Sequence, residues 1–120
     1  MNWPAIASLS GLLAVGFGAF GAHVVKPTLS TTLFEAYATG SDYHLSHSIA
    51  LLALALYSKS TGRSLGFALL AMSVGILLFS GSLYALALTG IRAFGAVTPV
   101  GGSLLLVGWA LSAWKLSKIN

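Results

Sequence analysis

From Leu65 to Leu88 the chain carries no charged side chain, and from Pro4 to Val25 its only ionisable one is His23. From Thr98 to Leu116 the only charge is Lys115. Runs this long and this apolar leave little choice of solvent. A helix needs about 20 apolar residues to cross the hydrocarbon core of a bilayer, and lipid has no water to satisfy a loop or a sheet edge. Soluble domains are about a quarter charged, whereas this chain is 7% charged and 57% hydrophobic. It has too few polar groups to cover a surface in water.

The apolar segments predict four spans, roughly 4–25, 43–57, 65–88 and 98–116, within a single domain over 1–120. Lys26-Pro27 closes the first, the polar turn from Ser58 to Ser64 the second and Thr89-Gly90 the third. Thr98-Pro99 reads as an N-cap followed by proline in the first turn. Thr32, with Glu35 three positions later, fits a capping box. An interfacial helix over 33–40 is therefore expected, bending at Gly40-Ser41 before the second span. The first segment lacks a basic lead-in, which favours a span over a secretory signal. The expected fold is all-α, an integral membrane four-helix bundle.

An even number of spans puts both termini on one side. That side holds Lys59, Arg63, Lys115 and Lys118; the other holds Lys26 and Arg92, with Glu35 and Asp42. The positive-inside rule makes the first side cytoplasmic, and Trp3, Tyr57, Trp109 and Trp114 are expected toward its boundary. A multi-pass protein of the cell membrane follows, with lipid as its immediate partner. Net charge is +4, but the six cations are scattered. Nucleic-acid binding needs a clustered basic face, so no nucleic-acid partner is expected. With no cysteine in the chain, disulfides and thiol chemistry are excluded.

Lipid supplies no hydrophobic drive for helix association, so small residues must allow close approach. Ser10, Ala14, Gly18 and Ala22 recur at every fourth position; Ala71 pairs with Gly75, Gly81 with Ala85, and Gly108 with Ser112. One of these ridges could also serve a second copy, a possible homo-oligomer.

Depth along the expected spans brings polar side chains from all four helices toward the non-cytoplasmic face: His23; Asp42, His44 and His47; Ser80, Ser82 and Tyr84; and Thr98. His44 and His47 are three apart and share a helix face; His47 is expected to point inward, one turn below Asp42. Ionisable groups within a span are costly and usually face partners or a cavity. Two readings stay open. These groups satisfy one another and fix helix register, or they line a pocket that opens outward to a lipid headgroup, small molecule or ion. His23, His44, His47 and Asp42 suit zinc in kind, but no ligand spacing fixes a site, so these are weak metal candidates and no metal or cofactor is assigned.

The segments GAFGAH (Gly18–His23), DYHLSH (Asp42–His47), FSGSLY (Phe79–Tyr84), TPVGG (Thr98–Gly102) and Gly108-Trp109 fall in order along the chain. Together they resemble the YgdD-like family of small membrane proteins, domain of unknown function 423, over nearly the whole sequence. The resemblance implies four membrane helices and no established activity. It implies motif residues at His23, Tyr43, His47, Ser80, Ser82, Tyr84, Thr98 and Pro99, with an acidic position at Asp42.

The function expected is non-catalytic binding of a lipid or small ligand at the polar cluster. A small-solute or proton-coupled transporter is the alternative. It would need His23, His47 or Asp42 as its proton carrier, and the residues below Ser73 offer almost no polar path. An enzyme would pair His23 or His47 with Ser80 or Ser82. FSGSLY, however, lies in an apolar helix and is not the strand-to-helix elbow that exposes a nucleophile.

Overall fold

The computed structural model describes residues 1–118. Four helices account for most of them: α1 (Trp3–Phe20), α2 (Thr31–Thr61), α3 (Gly66–Thr89) and α4 (Thr98–Leu116). Close contacts run in chain order, α1 on α2, α2 on α3 and α3 on α4. The central pair is α2 and α3, flanked by α1 and α4. Three stretches, Trp3–Thr28, Gly66–Thr89 and Arg92–Leu116, are long and apolar enough to cross a membrane. The helix containing the expected span 43–57 is not among them. Its first half carries Glu35, Asp42, both central histidines and several hydroxyls, which dilute the apolar run from Ile49 to Tyr57.

Each boundary has a local cause. Asn2 caps α1 by accepting the Ala5 N–H, with Pro4 in the first turn. Ser30 caps α2 by accepting the Leu33 N–H at 3.3 Å, so the cap lies two residues before the expected Thr32. The expected break at Gly40-Ser41 is absent: the stretch 33–40 is the opening of one continuous 31-residue helix. Gly62 and Gly90, both at φ 71°, end α2 and α3 in the left-handed conformation that only glycine adopts cheaply. At the start of α4, Thr98 is not the cap; its hydroxyl turns to Ser82 on α3 instead, 2.6 Å away.

Met1 and Lys118, the first and last described residues, lie with the α2–α3 turn at one end of the molecule. Met1 and Trp3 stand by Ser58 and Lys59, and Lys115 and Lys118 stand by Tyr57 and Arg63. At this end a core of Leu51, Leu54, Leu69, Met72 and Leu105 is sealed by Ala7 and Ala55. A smaller cluster of Val25, Tyr37, Tyr84 and Ala87 lies toward the other end.

Small residues set the helix spacing, though not all of those expected. Gly75 faces Leu105 and Gly108 faces Met72 across the α3–α4 interface, and Gly101 lies against the backbone of Leu78 and Phe79. Gly81 touches no neighbouring helix. The Gly81–Ala85 pair is therefore not a packing ridge, and Gly81 borders a cavity instead.

Candidate functional site

Polar side chains gather where α2 passes between its neighbours, but the constellation differs from the one expected. His23, His47 and Tyr84 do not meet. Beyond Phe20 the backbone widens into one π-helical turn, Gly21–Val25, with the Lys26 N–H reaching back to the Gly21 carbonyl. Gly21 and Val25 face inward and His23, between them, is exposed. Asp42 is also exposed, and Tyr43 is 45% exposed.

His44 takes the inner position. It is buried, and its Nδ1 shares a 3.0 Å hydrogen bond with the Tyr84 hydroxyl. Tyr84 stacks on Phe17 of α1 at 4.3 Å and tilts against Tyr37 at 5.1 Å. The Tyr37 hydroxyl donates to the Phe17 carbonyl, just before the turn where α1 changes register. Gly40 permits this meeting of α2 and α3. A Cβ there would stand 3.0 Å from the Leu83 Cβ, and Ser80 donates to the Gly40 carbonyl at 2.7 Å. One turn deeper, Ser48 donates to the His44 carbonyl, so the Ser10 hydroxyl is the donor in the 2.6 Å bond between Ser10 and Ser48.

His47 faces the other way, toward α4. Its Nδ1 lies 2.9 Å from the Tyr43 carbonyl, and its Nε2 lies 2.9 Å from Trp109 Nε1. A carbonyl can only accept and an indole N–H can only donate. The bonds therefore require a neutral imidazole with its proton on Nδ1. Tyr43 stacks parallel on this ring and leans on Phe79. Nearer the end of α3, Ser82 donates to the Phe79 carbonyl and so accepts the Thr98 hydroxyl proton. No buried side-chain nitrogen or oxygen among the described residues lacks a partner.

The cluster is thus two networks on opposite flanks of α2. One joins α1, α2 and α3 through His44, Tyr84, Tyr37, Ser80 and the serine pair. The other joins α2 and α4 through His47 and Trp109, with Ser82–Thr98 tying α3 to α4. Both run deep. Ser80 is nine residues before the end of α3 at Thr89, about 14 Å along the axis. Among the described residues no group of three His, Asp or Glu side chains could hold a metal ion. The His23–His44–His47 candidates are dispersed by an exposed first member and by two rings aimed at different helices.

A cavity of about 390 Å³ lies between α1 and α3, floored by α2. Ile6, Leu9, Leu13, Phe17, Leu51, Ile76 and Leu77 form most of its wall; Ser10, His44, Ser73, Ser80 and Tyr84 supply the polar atoms. At its rim Leu9, Leu13 and Leu77 are 56%, 49% and 70% exposed. The mouth therefore opens sideways, along the apolar flank, and not toward the polar loops.

The sequence match to known proteins agrees with this composition. Residues 17–102 match the family model described as Protein of unknown function (DUF423). The chain belongs to the DUF423 family. A UPF0382 membrane protein from Haemophilus influenzae is 44% identical to it over 112 residues, covering 91% of this chain and 88% of that one. Another from Staphylococcus saprophyticus is 41% identical over 106 residues, covering 88% of each chain. The UPF0382 inner membrane protein YgdD of Escherichia coli is 42% identical over 107 residues, covering 88% of this chain and 81% of that one. No solved structure matches. With three helices apolar enough to span, this DUF423 protein is a multi-pass membrane protein.

Some site residues were missed by sequence reasoning. Trp109 was read as a boundary aromatic and Ser10 as part of a small-residue ridge, while Phe17, Tyr37 and Ser48 were given no role. The available signal was Tyr37 and Trp109 themselves: buried Tyr and Trp need a partner for their polar atom.

Proposed function

We propose that this protein binds, without catalysis, a lipid or other membrane-dissolved amphiphile in the cavity between α1 and α3. One observation carries the reading: a 390 Å³ space within the size range of small-ligand sites, apolar in its walls, with His44, Tyr84 and Ser10 at its floor. Its sideways mouth favours a ligand arriving from the hydrocarbon over one arriving from water. No Lys, Arg, Asp or Glu lines it, so the ligand is neutral where it meets the protein.

Non-catalytic binding is supported by how the hydroxyls are used. Ser80 donates to a backbone carbonyl and Ser82 is held with Thr98. The acceptor nitrogen of His47 is occupied by Trp109, so that ring is not free to take the proton of Ser80 or Ser82. The apolar core below the cavity offers no polar path to the far end, which weighs against transport. α2 is read as a fourth crossing with both chain ends cytoplasmic, since the termini share their end with Lys59, Arg63, Lys115 and Lys118.

Gly81 supplies the test. A Cβ there meets nothing within 4 Å, so Gly81→Phe should fill the cavity without displacing a helix. Wild type extracted in mild detergent and examined by native mass spectrometry should retain lipid-sized adducts; Gly81→Phe should carry one fewer than wild type and Gly81→Ala as many. As many adducts on Gly81→Phe as on wild type, or none on the wild type after incubation with total membrane lipid, refutes the proposal.

A further inference from the structure

The opposite end of the molecule carries a charge imbalance with no use in the cavity. Arg63 from the α2–α3 turn converges with Lys115 and Lys118 from the end of α4 on one concavity of about 250 Å³, shared with Tyr57 and Ser64. Both acidic residues of the chain, Glu35 and Asp42, lie elsewhere. Asp42 is 17 residues before Lys59 on the same helix, about 26 Å along its axis. Lys118 and Lys115 lie over the Trp114 ring at 4.2 and 5.4 Å, which anchors them near the concavity, with no acidic side chain among the described residues lining it.

A second concavity of about 260 Å³ adjoins the first and shares Ser64, Leu65 and Lys115 with it. Its remaining wall is Gly66, Phe67, Ala68, Leu111 and Trp114, with Phe67 81% exposed. A cationic pocket thus continues into an apolar groove between α3 and α4. The geometry points to a site for a phosphate group, and specifically for an anionic phospholipid whose phosphate sits among Arg63, Lys115 and Lys118 while its acyl chain lies along Phe67 and Leu111. Arginine and lysine supply charge-assisted donors to phosphate oxygens, and basic pockets between membrane helices are a recurrent form of headgroup recognition. This site lies apart from the α1–α3 cavity, so either can fail without the other.

Two double variants remove the same charge from different places. The protein in mild detergent is titrated with phosphatidylglycerol or phosphatidylcholine, and bound lipid is read by native mass spectrometry. Wild type should prefer phosphatidylglycerol. R63Q/K115Q should weaken its binding about fivefold per cation, about 25-fold for the pair. K26Q/R92Q, at the other end, should leave it within about twofold. Titration with inorganic phosphate separates the sources: binding of phosphate sensitive to R63Q/K115Q, with no lipid preference, keeps the phosphate chemistry and overturns the lipid assignment. Equal losses in both double variants, or no preference for phosphatidylglycerol together with no binding of inorganic phosphate in wild type, overturn the site.

Discussion

Replacing Gly101 by alanine tests whether α3 and α4 touch at backbone distance. The new Cβ would overlap the Phe79 amide nitrogen and stand 2.7 Å from the Leu78 carbonyl carbon and the Phe79 Cα. These are main-chain atoms, so no rotamer change relieves them. Restoring an ordinary 3.4 Å contact requires the helices to part by at least about 0.7 Å, a gap that forfeits a quarter to a half of each dispersion contact across it. Leu105, fitted against Gly75, and Met72, fitted against Gly108, share that interface and are buried. At about 40–60 contacts per buried side chain and roughly 0.1–0.2 kcal/mol each, with about half of them crossing this interface, these two should lose about 1–2 kcal/mol apiece. Alanine returns about 1 kcal/mol through helix propensity. The net destabilisation is about 2 kcal/mol, on the order of 30-fold in the unfolding equilibrium. Denaturation by sodium dodecyl sulfate from mixed micelles, followed by circular dichroism, measures it. Gly81→Ala is the control: with open space at that Cβ it should be neutral or stabilising by up to about 1 kcal/mol. If Gly101→Ala proves as stable as Gly81→Ala, the backbone contact between α3 and α4 is wrong.

His47→Leu leaves the Trp109 N–H without its acceptor and should cost about 1 kcal/mol in the same assay; adding Trp109→Phe should cost little more, and full additivity of the two would sink the bond. Ser30→Ala should lose about 1 kcal/mol of capping, seen as faster amide exchange at Leu33 with exchange in α3 unchanged; unaltered exchange at Leu33 would count against the cap. Because the chain has no cysteine, single cysteines report topology cleanly. Asn2→Cys and Ser117→Cys should label from the cytoplasmic side, and Thr28→Cys and Arg92→Cys from the other; a split between the two ends would remove the four-crossing topology.

Three helices were legible because lipid imposes a length and an apolarity that α1, α3 and α4 meet outright. α2 was legible only in part. Its apolar half read as a short span and its polar half as a separate interfacial helix, since hydropathy cannot see that neighbouring helices stand in for water. Which histidine faces inward was not legible either. Residues three apart differ by about 60° around a helix. That is little on an isolated helix, but enough on one wedged between two neighbours to send His44 to Tyr84 and His47 to Trp109. His23 failed for a local reason: the π-helical turn at Gly21–Val25 shifts the phase of α1, and no residue from 18 to 25 announces it. The serines and Tyr84 of α3 were read as polar positions, but their partners, the Gly40 carbonyl for Ser80, Thr98 for Ser82 and the His44 ring for Tyr84, are not specified by depth along the chain.

α2 is the helix that hydrocarbon alone would accept least, and the two networks explain how it is held. Ser80 bonds the Gly40 carbonyl, Ser10 bonds Ser48, Tyr84 bonds His44 and Trp109 bonds His47. Each bond joins α2 to a helix apolar enough to span by itself. The cost of carrying imidazoles and hydroxyls at depth, a few kcal/mol per ionisable group on insertion scales, is offset only once α1, α3 and α4 surround it. On the proposed four-crossing topology, insertion of α2 is coupled to assembly, and its polar residues disfavour any register that leaves them facing acyl chains. The same arrangement accounts for the cavity. α1 and α3 both grip α2 but hardly grip each other, so a gap opens between them where the floor carries His44 and the rim carries leucines. A polar floor and a greasy rim are what the requirement for bonding α2 produces, and the proposed binding of a membrane-dissolved amphiphile rests on that combination.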